Sequence, residues 1–300
     1  MNFDVITYNI IKLFFLCVGL IPRKMTIVLS GFIGQLWFII DRKHREITID
    51  NMTRAFGREK NQSEIHDLAR KVFSNICLII FEMGWFVRLN KKEIVKKIKI
   101  EGLSNLRAAY EKGKGVLIVT AHLGNWEVGT AALSKTGYPG SIIGRPMDFK
   151  PFDKFVSEAR KRFEVELIPS VGSMRKVLNN LGQGRIVVVL LDQNVDWYNG
   201  VFVDFFGRPA CTNKGLALLA RKTGAPVVPV FMVRDRSLFR GEIGKEIPLV
   251  KTADKIKDIE INTQNYNDII ETYVRRYPEQ WFWVHQRWKT RPYQPWPKEQ

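Results

Sequence analysis

With 300 residues, 45% of them hydrophobic, the chain is excluded from the disordered class and is long enough for one large domain or two small ones. The formal net charge of +17, from 47 Lys and Arg against 30 Asp and Glu, implies nucleic acid, an anionic membrane surface or an acidic ligand as partner, without choosing among them. Three scattered cysteines, Cys17, Cys77 and Cys211, form no CxxC pair and no zinc pattern, and read as reduced thiols in a reducing compartment.

Two apolar segments, 10–21 and 25–40, flank Pro22, Arg23 and Lys24. A spanning helix needs about 20 apolar residues, which neither segment supplies cleanly. Pro22 breaks the join, and no small-residue cleavage site follows the first segment. The basic flanks favour membrane association, as one marginal span or as two interfacial helices, over a pair of buried helices in a soluble fold.

The charged stretch 41–60 continues as helix until Gly57. Another helix runs from Ser63 to about Leu89, with Leu68, Val72, Phe73, Ile76, Ile80 and Met83 near a 3.6-residue period. Lys91, Lys92, Lys96, Lys97 and Lys99 follow, as a solvated face or a phospholipid-facing patch. From residue 98 the pattern becomes an alternation. Strands are expected at 98–103, in VLIVTAH, and at 141–144, 165–168, 185–192 and 226–233. Helices are expected at 103–110, from Asn125 to Gly137, and at 152–163, 173–181, 213–223 and 261–277. This predicts an α/β fold with a central mixed or mostly parallel sheet flanked by helices. Three regions are expected: hydrophobic membrane-associating helices at 1–40, a helical subregion at 41–97, and an α/β domain at 98–300.

The segment VTAHLGNWEVG places His122 just past a buried strand, and Glu127 five residues later in the first turn of a helix. Ligands of open α/β sheets bind beyond the carboxyl ends of strands. A carboxylate that orients an imidazole lets it accept a proton from a substrate hydroxyl. Gly124 and Asn125 suit a tight turn and a helix cap. In the structural alternative His122 caps the sheet and Glu127 pairs with a surface lysine. No GxSxG elbow, no GxGxxG, no P-loop and no obvious Cys–His pairing occurs, so a hydroxyl attacking directly is favoured over an acyl-enzyme.

HLGNWE resembles the H-x4-D/E motif of the bacterial lipid A biosynthesis acyltransferases, the late lauroyl and myristoyl transferases. The phosphatidylinositol mannoside acyltransferases and, more distantly, the glycerol-3-phosphate acyltransferases are similar. The resemblance covers nearly the whole chain, from the N-terminal helices through NMTRAF, GVLIVTAHLGNWE, GRPMD, LLDQN and VFVDFFGRPACTNKG to EQWFWVHQRWKTRP. It implies a glycerol-3-phosphate acyltransferase-like fold, with His122 as general base and Glu127 as its orienting partner. It places Arg145 near the site, to bind acceptor phosphate or steady oxyanion charge. Asp148 stands where the family often carries an asparagine, so a polar contact is altered. Asp192 and Gln193 end the RIVVVLLD strand on the His122 side, and an acidic residue near that position contributes in the mannoside enzymes. Arg208 and Thr212 are candidates for anion contact at a helix starting near Thr212, with an ordinary capped helix as the alternative. Arg287 is the candidate for phosphate contact in QWFWVHQRWK, whereas His285 reads as structural; Trp281, Trp283 and Trp288 suit a lipid interface or a packed lid.

The resulting expectation is an O-acyltransferase at the cytoplasmic face of the inner membrane, with neither metal nor cofactor. Its donor would be a thioester of acyl carrier protein, an acidic partner steered by the positive charge, and its acceptor a phosphorylated glycolipid, a lipid A precursor. An anionic membrane surface is a further partner, and nucleic acid is not. A phosphatidylinositol mannoside acceptor with acyl-coenzyme A, or a non-catalytic basic membrane-binding protein, are the alternatives.

Overall fold

Pro22, with φ −61° and no N–H to donate, separates two N-terminal helices, α1 (Phe3–Val18) and α2 (Arg23–Ile40). This computed structural model describes residues 3–235 and 238–292. The outermost residues of the expected 1–40 and 98–300 regions therefore lie outside the described residues. Helix α3 (Arg42–Phe56) starts where the Asp41 side chain accepts the His44 N–H, and it stops at Gly57. Helix α4 (Gln62–Arg88) opens with a reciprocal capping box between Asn61 and Glu64. The lysine run is partly helical: α5 (Lys91–Lys96) carries a second capping box, from Asn90 and Glu93.

The α/β part then follows as β1 (Ile98–Glu101), α6 (Leu103–Tyr110), β2 (Val116–Thr120), α7 (Gly129–Thr136), β3 (Gly140–Gly144), α8 (Lys150–Lys161), β4 (Glu166–Pro169), α9 (Met174–Gly182) and β5 (Ile186–Leu190). It continues through β6 (Gly200–Asp204), β7 (Pro209–Asn213), α10 (Gly215–Thr223), β8 (Val227–Asp235), β9 (Leu238–Ile243) and α11 (Lys255–Arg276). Seven strands form one sheet in the order β1-β9-β8-β2-β5-β3-β4. All neighbours are parallel except β8 and β9, so the sheet is mixed and mostly parallel, as its apolar strands predict.

Alternation along β2 feeds both faces. Leu117 and Val119 enter a core with α3, α4, α9, α10 and α11, while Val116 and Ile118 pack under α6 and α7. The outer end of the first core is closed by Trp281 and Trp283, both fully buried. Sequence patterning missed two features. Residues 200–213 form an antiparallel hairpin of β6 and β7 beside the main sheet, and β9 returns antiparallel along β8. Thr212 is therefore a strand residue, and the helix begins at Gly215. The short strands of FVDFFGRPACT turn at Gly207, where φ is +71°.

Helices α1 and α2 lie along α4. A Cβ on Gly34 would sit 2.5 Å from the Ser74 backbone, and one on Gly84 would sit 2.7 Å from the Gly19 nitrogen, so these glycines set how close the helices approach. Helix α2 is long and apolar enough to cross a membrane by length and composition, and about a fifth of it is buried. Its free face exposes Val28, Phe32, Ile39 and Ile40, and α1 adds Ile10, Leu13 and Phe14. Exposed apolar side chains gathered on two helices that pack against α4 are of the kind that a membrane or a partner covers.

Candidate active site

Strand β2 ends at Thr120, and the chain turns through His122, Leu123 and Gly124 into a short 3-10 turn at Trp126–Val128. Gly124 has φ +62°, and a Cβ there would fall 1.9 Å from the Met232 carbonyl oxygen, so no other residue fits. The turn is held against the C-terminal segment: the Gly124 N–H donates to the Gln280 carbonyl at 2.9 Å, and Phe282 N–H donates to the His122 carbonyl at 3.0 Å.

Asp192 lies two residues beyond β5, the strand next to β2, and is completely buried. Its Oδ1 is 2.9 Å from His122 Nδ1, while its Oδ2 accepts the His122 backbone N–H at 2.9 Å and the Trp281 indole N–H at 2.7 Å. Burial works against the charged carboxylate, but the His122 imidazole beside it and the His122 backbone N–H hold the carboxyl well below its usual range. The His122 side chain keeps 20% of its surface exposed and meets Trp126 edge-on, with ring centres 5.1 Å apart. With Nδ1 turned to Asp192, Nε2 is the nitrogen left to take a proton.

The expected His122–Glu127 pair is not what the structure forms. The Glu127 carboxylate receives two hydrogen bonds from Arg160 of α8, Nε at 2.9 Å and Nη2 at 2.6 Å. The cause is local: Asn125 caps the 3-10 turn by accepting the Glu127 N–H at 3.2 Å, and the turn directs the carboxylate towards α8. The predicted alternative, a surface lysine, is equally absent from this pair. Burial disfavours the Arg160 charge, but Glu127 outweighs it and raises the guanidinium further above its ordinary value.

His122, Glu127 and Arg160 line one cavity of about 970 Å³, near the upper end of small-molecule sites. Its apolar depth includes Ile118, Leu133, Val188, Met232 and Ile243. Arg145 and Gln193 also line it, and both are exposed; Arg145 ion-pairs with Asp148. Three expected contacts fall elsewhere. Arg208 is a surface residue whose Nε donates to the Arg54 carbonyl at 3.2 Å. Thr212 is buried and accepts a hydrogen bond from Arg287. Arg287 is itself fully buried, donating also to the Cys211 carbonyl at 3.0 Å and to Asn267 Oδ1 at 3.1 Å, so it fastens the β6–β7 hairpin to α11 rather than meeting a phosphate. Burial pushes its pKa down to about 10, which leaves it charged at neutral pH. Among the described residues no cluster of three or more His, Cys, Asp or Glu is placed to hold a metal ion.

His285 lies behind Trp281, with Nδ1 2.6 Å from the Phe282 carbonyl oxygen, and burial pushes its pKa down to about 4. The unfolded chain binds this proton near pH 6.5 and the fold refuses it until about pH 4. Stability from this group is therefore full above pH 6.5 and lost as pH falls through 4, a loss of about 3 kcal/mol. The contribution of Asp192 is lost lower still, below the ordinary carboxylate range. Denaturant unfolding of His285→Phe is expected to show a flatter pH dependence between pH 6.5 and 4.

The model of the family described as bacterial lipid A biosynthesis acyltransferase matches residues 3–290. The chain belongs to that family. It is an acyltransferase. The lipid A biosynthesis lauroyltransferase of Escherichia coli (strain K12) is 26% identical over 279 residues, covering 91% of this chain and 88% of that protein. A lipid A biosynthesis acyltransferase of Haemophilus influenzae is 25% identical over 283 residues, covering 93% and 86%. A phosphatidylinositol mannoside acyltransferase of Mycobacterium tuberculosis is 26% identical over 207 residues, covering 67% and 63%. Among solved structures, the 1-acyl-sn-glycerophosphate acyltransferase of Thermotoga maritima aligns at a TM-score of 0.38 and 12% identity, over 85% of this chain and 99% of that one. Family membership removes the non-catalytic membrane-binding reading.

Two pairings, Arg160 with Glu127 and Trp281 with Asp192, are not marked in the sequence. Arg160 sits in FDKFVSEARKRF beside Lys161 and Arg162, and nothing there marks which cation turns inward. Trp281 was legible as an aromatic in a C-terminal cluster, but its donation to Asp192 spans 89 residues.

Proposed function

We propose that the protein transfers a fatty acyl chain from an acyl carrier protein thioester to a hydroxyl of a lipid A precursor, with His122 as general base and Asp192 as its orienter. The observation that carries this reading is the His122 imidazole, tethered through Nδ1 and lining a cavity with an apolar depth. The acceptor hydroxyl gives its proton to Nε2, and its oxygen attacks the thioester carbonyl. The tetrahedral intermediate expels the thiolate, which takes the proton from the imidazolium. The apolar walls at Ile118, Val188 and Met232 suit the acyl chain. Arg160, steadied by Glu127, and Arg145 supply positive charge for the oxyanion or for acceptor phosphate.

The net charge of +17 would speed encounter with an acidic carrier and favour an anionic surface. The exposed apolar face of α1 and α2 would seat the enzyme at the cytoplasmic face of the inner membrane. Because α2 packs along α4, an interfacial anchor fits better than an independent span.

The test is mass spectrometry of products from the purified protein, offered acyl carrier protein and coenzyme A thioesters with lipid A precursors and phosphatidylinositol mannosides. A precursor heavier by one acyl group, formed from the carrier thioester, is the expected result. Transfer only from coenzyme A to a mannoside would replace the proposal with the second acceptor class, which the mycobacterial relative represents.

A further inference from the structure

We propose that Glu82 is a positioning residue for acyl transfer, tying the lipid-facing helix α2 to the loop that presents His122 and Glu127. Glu82 sits within α4 with no exposed side-chain surface. Its carboxylate gathers donors from three separate parts of the fold. Arg23, the first residue of α2, donates through Nη1 at 2.8 Å. Arg234, at the end of β8, donates through Nε at 2.8 Å to either oxygen. Asn125, between His122 and Glu127, donates through Nδ2 at 2.8 Å.

Both sides of the catalytic loop depend on this cluster. The Asn125 Oδ1 accepts the Glu127 N–H at 3.2 Å, so the amide that touches Glu82 also sets the turn that aims the Glu127 carboxylate at Arg160. The Arg234 backbone N–H donates to Gln280 Oε1 at 2.9 Å, and the Gln280 carbonyl accepts the Gly124 N–H at 2.9 Å. A buried carboxylate holding two guanidiniums and an amide is an expensive arrangement, and one known use of such groups is to specify a single geometry. Here the geometry specified is that of α2 against the loop. Helix α2 presents Val28, Phe32, Ile39 and Ile40 outward, so any force from a lipid surface acts on the helix whose first residue is bonded to Glu82. The inference rests on the acyl-transfer reading for its kinetic consequence, but not for its structural one.

The test uses the full chain in vesicles of phosphatidylethanolamine and phosphatidylglycerol, followed by amide hydrogen exchange and steady-state kinetics. Arg23→Met removes the α2 arm and leaves Glu82 with Arg234 and Asn125. Exchange in 123–128 is expected to rise about tenfold while β2 and β5 stay protected. The turnover kcat is expected to fall about tenfold with the thioester KM nearly unchanged, and Arg23→Lys should restore most of both. Glu82→Gln should produce a larger change of the same kind. Unchanged exchange at 123–128 in Arg23→Met would overturn the proposal, as would a uniform rise that includes β2 and β5. If the wild type transfers nothing to a lipid A precursor, the acceptor assignment fails, and the exchange data still decide the role of Glu82.

Discussion

His122→Ala is expected to lower kcat about a thousandfold, within the range that a positioned general base supplies. The loss should appear in turnover rather than in thioester KM, because the apolar walls of the cavity remain. The substitution also removes a donor from the buried Asp192 carboxylate, which among the described residues keeps the Trp281 indole and the residue-122 backbone N–H. Stability should therefore fall as well, and rates must be referred to the folded fraction measured by circular dichroism at the assay temperature. A variant that is folded and transfers acyl groups at the wild-type rate would remove His122 from the mechanism and redirect attention to the Glu127–Arg160 pair.

The sequence made the frame legible and left the pairings within it obscure. The continuous apolar runs at 116–120 and 186–190 identify buried parallel strands, and residues just past such strands are where ligands bind. That logic places His122 and Asp192 on one edge of the sheet. It does not say that β2 and β5 are neighbours, a relation set by packing across 70 residues of chain. Glu127 is nearer in sequence, and proximity in sequence made it the apparent partner. The deciding detail is the Asn125-capped 3-10 turn, which carries the Glu127 carboxylate to α8. Arg287 failed as a phosphate ligand for a related reason. Its sequence neighbours are aromatic, which fits an interface and an interior equally, and only the path of the β6–β7 hairpin decides that it is buried. Pro22 and Gly57, by contrast, act within a residue or two of themselves, and both mark helix ends where expected.

Asp192→Asn is expected to cost kcat about a thousandfold, as much as removing the imidazole and more than Glu127→Gln, because it reverses the imidazole tautomer and so disables the same base. In the wild type both donors other than the ring, the Trp281 indole and the His122 backbone N–H, point at Oδ2. An asparagine must therefore turn its carbonyl oxygen towards them and its NH2 towards Nδ1. The NH2 then donates to Nδ1, the ring proton moves to Nε2, and the nitrogen facing the cavity can no longer accept the acceptor hydroxyl's proton. The change is isosteric, so the cavity and the thioester KM should be preserved. Glu127→Gln leaves Nδ1 facing Asp192 and weakens only the contact with Arg160, so it should be the milder of the two. Single-turnover rates of the two variants, measured with one acyl carrier protein thioester and one acceptor, decide which carboxylate orients the base. A folded Asp192→Asn enzyme with near-wild-type rate, beside an inactive Glu127→Gln, would return that role to Glu127.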